Sequence, residues 1–124
     1  MYKKILAAVN EHINSEVTAR YALRLAKDVN AKLYICFVAG KAMSPHDRRA
    51  AEDAVNRLYN EALDLDIRTE RIAEIGDPVV EIGSIVRHEN IGIVFASTRR
   101  EDIEKRFYAG TVARSLSLKL TCSV

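Results

Sequence analysis

The chain has 124 residues, 48% of them hydrophobic and 29% charged, enough for one domain with its own core. Nineteen basic residues against 17 acidic ones leave a net charge of +2. That balance, with no Trp and scattered aromatics, argues against a nucleic-acid surface, and no run approaches the length of apolar sequence needed to span a membrane as a helix.

Met1 to Val9 contains two lysines and the apolar run Ile5 to Val9, which Asn10-Glu11-His12 cuts short. The run is too brief for a secretory leader and reads as a first strand over Lys4–Val9, buried on both faces. Asn14 or Ser15 is placed to cap a helix reaching about Asn30, with Thr18, Ala22, Leu25, Ala26 and Val29 as its apolar stripe. Asn30 suits a left-handed helix end. Leu33–Val38 is the second strand. Ser44-Pro45 then supplies a capping hydroxyl and a proline at the first helical position. Ala51, Ala54, Leu58, Ala62 and Leu65 form the inner face of that second helix.

Ile67–Ala73 reads as a third strand, polar enough to lie at a sheet edge. Gly76-Asp77-Pro78 marks a turn, and Asp77 caps a helix whose Val79, Ile82 and Val86 face inward. Ile91–Ala96 is the fourth strand. A charged loop from Ser97 to Ala109 follows, then a helix opened by Gly110-Thr111 and a fifth strand beginning at Thr121.

Strands alternating with helices on short connectors predict a single α/β domain over residues 1–124, a parallel sheet covered on both faces. Ligands of such sheets bind at the carboxyl ends of the strands, where strand order reverses. The candidate site is therefore residues 8–13, 38–43 and 96–112. Cys36 lies in an apolar run and Cys122 is distant in sequence; two unpatterned thiols suit a cytoplasmic protein. His12, His46 and His88 have no metal-ligand spacing and are expected at the surface.

Four passages taken in order resemble the universal stress protein family. They are Lys3-Lys4-Ile5-Leu6-Ala7-Ala8-Val9-Asn10, Gly76-Asp77-Pro78, Ile93-Val94-Phe95-Ala96-Ser97, and Lys105-Arg106-Phe107-Tyr108-Ala109-Gly110-Thr111-Val112. The resemblance implies a three-layer α/β/α fold with an open five-stranded parallel sheet in the order 3-2-1-4-5, Rossmann-like and of the adenine nucleotide alpha hydrolase type. It also implies homodimers or a tandem-domain partner, and a short last strand suggests the first domain of a longer or tandem protein.

Many members bind ATP through glycine-x-x-glycine, nine residues, then glycine and a hydroxyl residue. The glycines let the backbone approach phosphates, and the final pair presents amides at a helix N-terminus. Here Gly110 and Thr111 match the end of the motif, while Ser97 and Arg100 stand at the first two glycine positions. Asn10 replaces the aspartate that helps hold the nucleoside, and Val38 and Val112 match apolar positions near the base and the phosphate helix. Arg100 either supplies charge to the phosphates or blocks the loop.

No nucleophile elbow, Walker lysine motif or metal constellation appears, so no enzyme activity is expected. A nucleotide-transferring or thiolating enzyme would place a glycine-rich loop where Asn10-Glu11-His12-Ile13-Asn14 stands. The leading expectation is a stress-response module acting through dimerisation or partner contact, with no resident cofactor. The alternative is a switch that binds ATP, ADP or AMP through Gly110-Thr111 and Arg100.

Overall fold

The computed structural model describes residues 3–96. Its elements are β1 (Lys4–Val9), α1 (Ile13–Val29), β2 (Lys32–Ala39), α2 (Pro45–Asp64), β3 (Thr69–Ile75), α3 (Pro78–Glu89) and β4 (Ile93–Phe95). The four strands are parallel in the order β3-β2-β1-β4, which is the expected order as far as the described residues reach. The expected fifth strand and the helix opened by Gly110-Thr111 lie outside them.

Strand pairing sets the layers. Ile5 pairs with Leu33 and Val9 with Phe37, so alternate residues of β1 and β2 share a face. Ile5, Ala7, Val9, Leu33, Ile35 and Phe37 pack under α1 and α2. Leu6, Tyr34, Cys36, Val38 and Val94 form the opposite cluster, covered by Ile82 and Val86 of α3. Every residue of β2 from Leu33 to Ala39 is buried, as a strand sandwiched between two helical layers requires. β3 lies at the edge, its outer positions Glu70, Arg71 and Glu74 exposed.

The helix ends are built alike. Asn30, Asp66 and Asn90 take left-handed backbone with φ of 57–58°, and each is followed by a buried apolar residue. The amides of Ala31, Ile67 and Ile91 donate back to Ala26, Ala62 and Val86 carbonyl oxygens at 2.9, 3.0 and 3.1 Å. Each helix is thus closed and its chain turned into the core in one step. At the other end, Ser44 Oγ accepts from the Asp47 amide and Asp77 Oδ1 from the Val79 and Val80 amides, each ahead of a proline. Gly76 has φ 150° and an amide bonded to the Ala39 carbonyl oxygen, so the turn before α3 needs glycine.

The buried face of α1 differs from the expected stripe. Ser15, Glu16, Ala19, Ala22, Leu23 and Ala26 are buried, whereas Thr18, Leu25 and Val29 are half-buried. Neither Asn14 nor Ser15 caps the helix; His12 occupies that position without a side-chain cap bond. α2 keeps Ala51, Ala54, Leu58 and Ala62 inward, with Val55 added, but Leu65 is exposed beyond the helix end. Ile67 is buried ahead of β3 rather than paired within it, and Val79 is only half-buried.

Glu16 explains why α1 turns as it does. Its carboxylate accepts from Arg57 of α2 at 2.7 Å and from Arg20 at 2.9 Å, while Arg20 also donates to Glu61 of α2 at 2.7 Å. The Arg57 hydrogen bond holds the Glu16 carboxyl below its ordinary value against the opposing effect of burial, and Arg20 adds to the lowering. A carboxyl lowered on folding stabilises above its unfolded-chain value, near 4.5, and that contribution disappears as pH falls through the folded value. Glu16→Gln is therefore expected to cost about 1–3 kcal/mol at neutral pH. It should also flatten the loss of stability on acidification, read by denaturant melts from neutral pH downward.

Candidate functional site

Strand order places the reversal between β1 and β4. From β1 the chain crosses by α1 to β2 and by α2 to β3, then returns beneath the other face through α3 to β4. Doubly wound sheets receive ligands at the carboxyl ends of the strands beside such a reversal, and of the two loops that border it here the described residues include the one after β1.

The loop after β1 is tied to the first turn of α1. Asn10 N–H donates to Ser15 Oγ at 2.9 Å, and Asn10 Oδ1 accepts from the His12 amide at 2.8 Å. The Ser15 hydroxyl donates to the His12 carbonyl oxygen at 2.9 Å, with the Asn10 carbonyl oxygen a longer alternative at 3.3 Å. Ser15 is fully buried, so its hydroxyl serves as the internal anchor of this loop. The Asn10 amide oxygen, expected to face a ligand, is engaged by the turn itself.

Glu11 Oε1 lies 3.0 Å from His12 Nε2, and the Glu11 side chain is only 18% exposed. Its other oxygen, Oε2, is buried without a hydrogen-bond partner among the described residues. His12 is thus paired with Glu11, while His46 and His88 are exposed as expected. No group of three His, Cys, Asp or Glu side chains among the described residues is arranged to hold a metal ion.

The structure brings Asn10 and Val38 to one end of the sheet, each following the paired residues Val9 and Phe37. Val38 is buried in the cluster under α3. Ser97, Arg100, Gly110, Thr111 and Val112 lie outside the described residues. The loop after β2 borders a pocket of about 450 Å³ lined by Gly40, Lys41, Met43, Arg48, Arg49 and Ile75. This pocket lies on the β3 side of β2, away from the reversal.

Sequence reading placed Glu11 in the loop of residues 8–13 without giving it a role, and offered Ser15 only as one of two cap candidates. Ser15 gave a usable signal, a hydroxyl within reach of the first strand's end, but it was assigned to capping. Glu11 gave none, since an acidic residue in a loop ordinarily faces water.

Parallel strands covered on both faces, with strand order reversing at β1, define a doubly wound α/β protein. The model of the universal stress protein family matches residues 1–124, and the chain belongs to that family. It is similar in fold to a universal stress protein in complex with cAMP, at 17% identity and a TM-score of 0.78 over 99% of this chain and 94% of that one. It is also similar to the universal stress protein from Archaeoglobus fulgidus in complex with dAMP, at 19% identity and 0.73 over 99% and 95%. A family protein from Arabidopsis thaliana with AMP bound aligns at 18% identity and 0.67 over 98% and 88%. No curated protein matches the chain.

Two outcomes follow from this geometry. Ser15→Ala removes the partner of the Asn10 amide and is expected to cost about 1–3 kcal/mol, with hydrogen exchange at Asn10 accelerated beyond the global change. Burial, aided by Glu74 and Glu81, pushes the Cys36 thiol up to about 12. Iodoacetamide should leave Cys36 unlabelled in the native protein at pH 8 and label it in denaturant, read by peptide mass.

Proposed function

We propose that the protein is a non-catalytic regulatory module of the stress-response type, acting through dimerisation or partner contact, with ATP bound weakly or not at all. The family match over residues 1–124 carries this reading. Serine and arginine at positions 97 and 100 support the weakness of ATP binding, since a side chain at a glycine position hinders close backbone approach to phosphate. A single domain over 1–124 and a cytoplasmic setting belong to the same proposal. No described helix is long and apolar enough to cross a membrane. Association is supported by Ile13, Val17 and Tyr21, exposed four residues apart on α1.

The second reading is an adenine-nucleotide switch in which the β1/β4 crevice takes AMP, ADP or ATP, with Gly110, Thr111 and Arg100 at the phosphates and Asn10, Val38, Ser97 and Val112 around the rest. It is favoured by the cAMP, dAMP and AMP complexes of proteins sharing the fold. A thermal-shift titration with ATP, ADP and AMP separates the two. Under the first reading the midpoint stays flat to millimolar ligand. A saturable rise that Gly110→Val abolishes establishes the second.

A further inference from the structure

The pocket beside the loop after β2 is lined entirely by described residues and lies away from the strand reversal. It holds about 450 Å³ between that loop, the first turns of α2 and Ile75 at the end of β3. Small-molecule sites span about 300–1,000 Å³, so the space suits an organic ligand and exceeds what a bare anion fills. Its walls are fixed by backbone. Ala39 is in register with Ile75, the Gly76 amide donates to the Ala39 carbonyl oxygen at 3.0 Å, and the Met43 amide donates to the Gly40 carbonyl oxygen at 3.1 Å.

The charges around it are unbalanced. Lys41, Arg48 and Arg49 line the pocket against one acid, Glu52. Glu52 follows Arg48 by four residues and Arg49 by three, spacings at which ion pairs form on a helix. Even so, no salt bridge joins any of the three cations to a described acid. By contrast, Arg20 and Arg57 close on Glu16, and Lys32 on Glu70. A concave surface lined by one sign of charge focuses its field and gathers counter-ions.

The donor set narrows the anion. A phosphate group carries more charge than a carboxylate and offers three oxygens, a match for two guanidinium forks and a lysine point charge. Met43 and Ile75 add apolar wall, Ile75 with 63% of its surface exposed. The whole chain, at a net charge of +2, lacks the basic excess of a nucleic-acid binder.

We infer that this pocket binds a small phosphorylated organic molecule, with Arg48, Arg49 and Lys41 on the phosphate and Met43 and Ile75 against its apolar part. Glu52 repels the anion and limits its affinity. The site stands whether or not the reversal at β1 takes a nucleotide, whose phosphates that reading assigns to Arg100, Gly110 and Thr111.

Amide chemical shifts of the full chain test it, titrated at constant ionic strength with phenyl phosphate, benzoate and inorganic phosphate. Saturable shifts are expected at residues 40–52 and 75, with phenyl phosphate binding about threefold or more tighter than either other ligand. Replacing both arginines, Arg48→Gln and Arg49→Gln, should weaken phenyl phosphate about tenfold or more, and Lys41→Gln alone by a smaller factor. Glu52→Gln should tighten it, a sign opposite to that of general damage. All four side chains are exposed, so thermal midpoints should stay close to the wild type's. Shifts that climb without saturating, or that survive loss of the arginine pair, overturn the assignment. A response centred on Asn10 or on residues 96–112 also overturns it, by placing the anion at the reversal. Equal affinity for benzoate and phenyl phosphate sinks the phosphate selection.

Discussion

A parallel sheet cannot join its neighbouring strands by tight turns, and every connection must cross one face of the sheet or the other. In this protein that constraint governs the rest. β1 and β2 carry apolar residues on both sides, so both faces need helical cover, and right-handed crossovers allow one arrangement of it. Travel outward from β1 to β3 places α1 and α2 on one face. The return to β4 places α3 on the other. The reversal of strand order at β1 is that change of direction.

The same constraint sets how the connections are made. Each must leave a helix and re-enter the sheet within a few residues, without exposing apolar surface or burying unpaired amides. Asn30, Asp66 and Asn90 solve this alike, a left-handed residue closing the helix and an apolar residue dropping into the core behind it. Where the turn runs from strand to helix, the chain uses Ser44-Pro45 and Asp77-Pro78. The connection after β1 departs from this pattern. No side chain caps α1; the buried Ser15 hydroxyl instead ties the helix back to Asn10. That loop is thereby anchored from inside the protein, with Glu11 paired to His12 beside the anchor.

The polar groups that organise the molecule are also the ones a hydrophobic pattern overlooks. Glu16 is buried beneath two arginines and sets the rotation of α1 against α2. Its partner Arg57 is 41 residues away, so no local rule links them. The arginines stay partly solvated, and the cluster satisfies its charges at the seam between two helices. A charge paired in that way can be buried where an isolated one could not.

Much of the fold was legible in the chain itself. The apolar runs of β1 and β2, the capping pairs at 44–45 and 77–78, the asparagine at 30 and the polar edge strand all act over a few residues, through backbone preferences and simple burial. The amino-acid sequence by itself therefore determined the element order, the parallel sheet and the family. It also supplied the expectation of a site at the strand ends, of which Ser97, Arg100, Gly110, Thr111 and Val112 lie beyond the described residues. Tertiary structure alone decided that Ser15 and Glu16 turn inward, that the Asn10 side-chain oxygen serves its own loop, and that one oxygen of the half-buried Glu11 is withdrawn from water. The physical reason is that a polar side chain has no fixed preference for inside or outside. Its place depends on whether a matching group arrives from elsewhere in the fold, and only the assembled packing of β1, α1 and α2 brings those groups together.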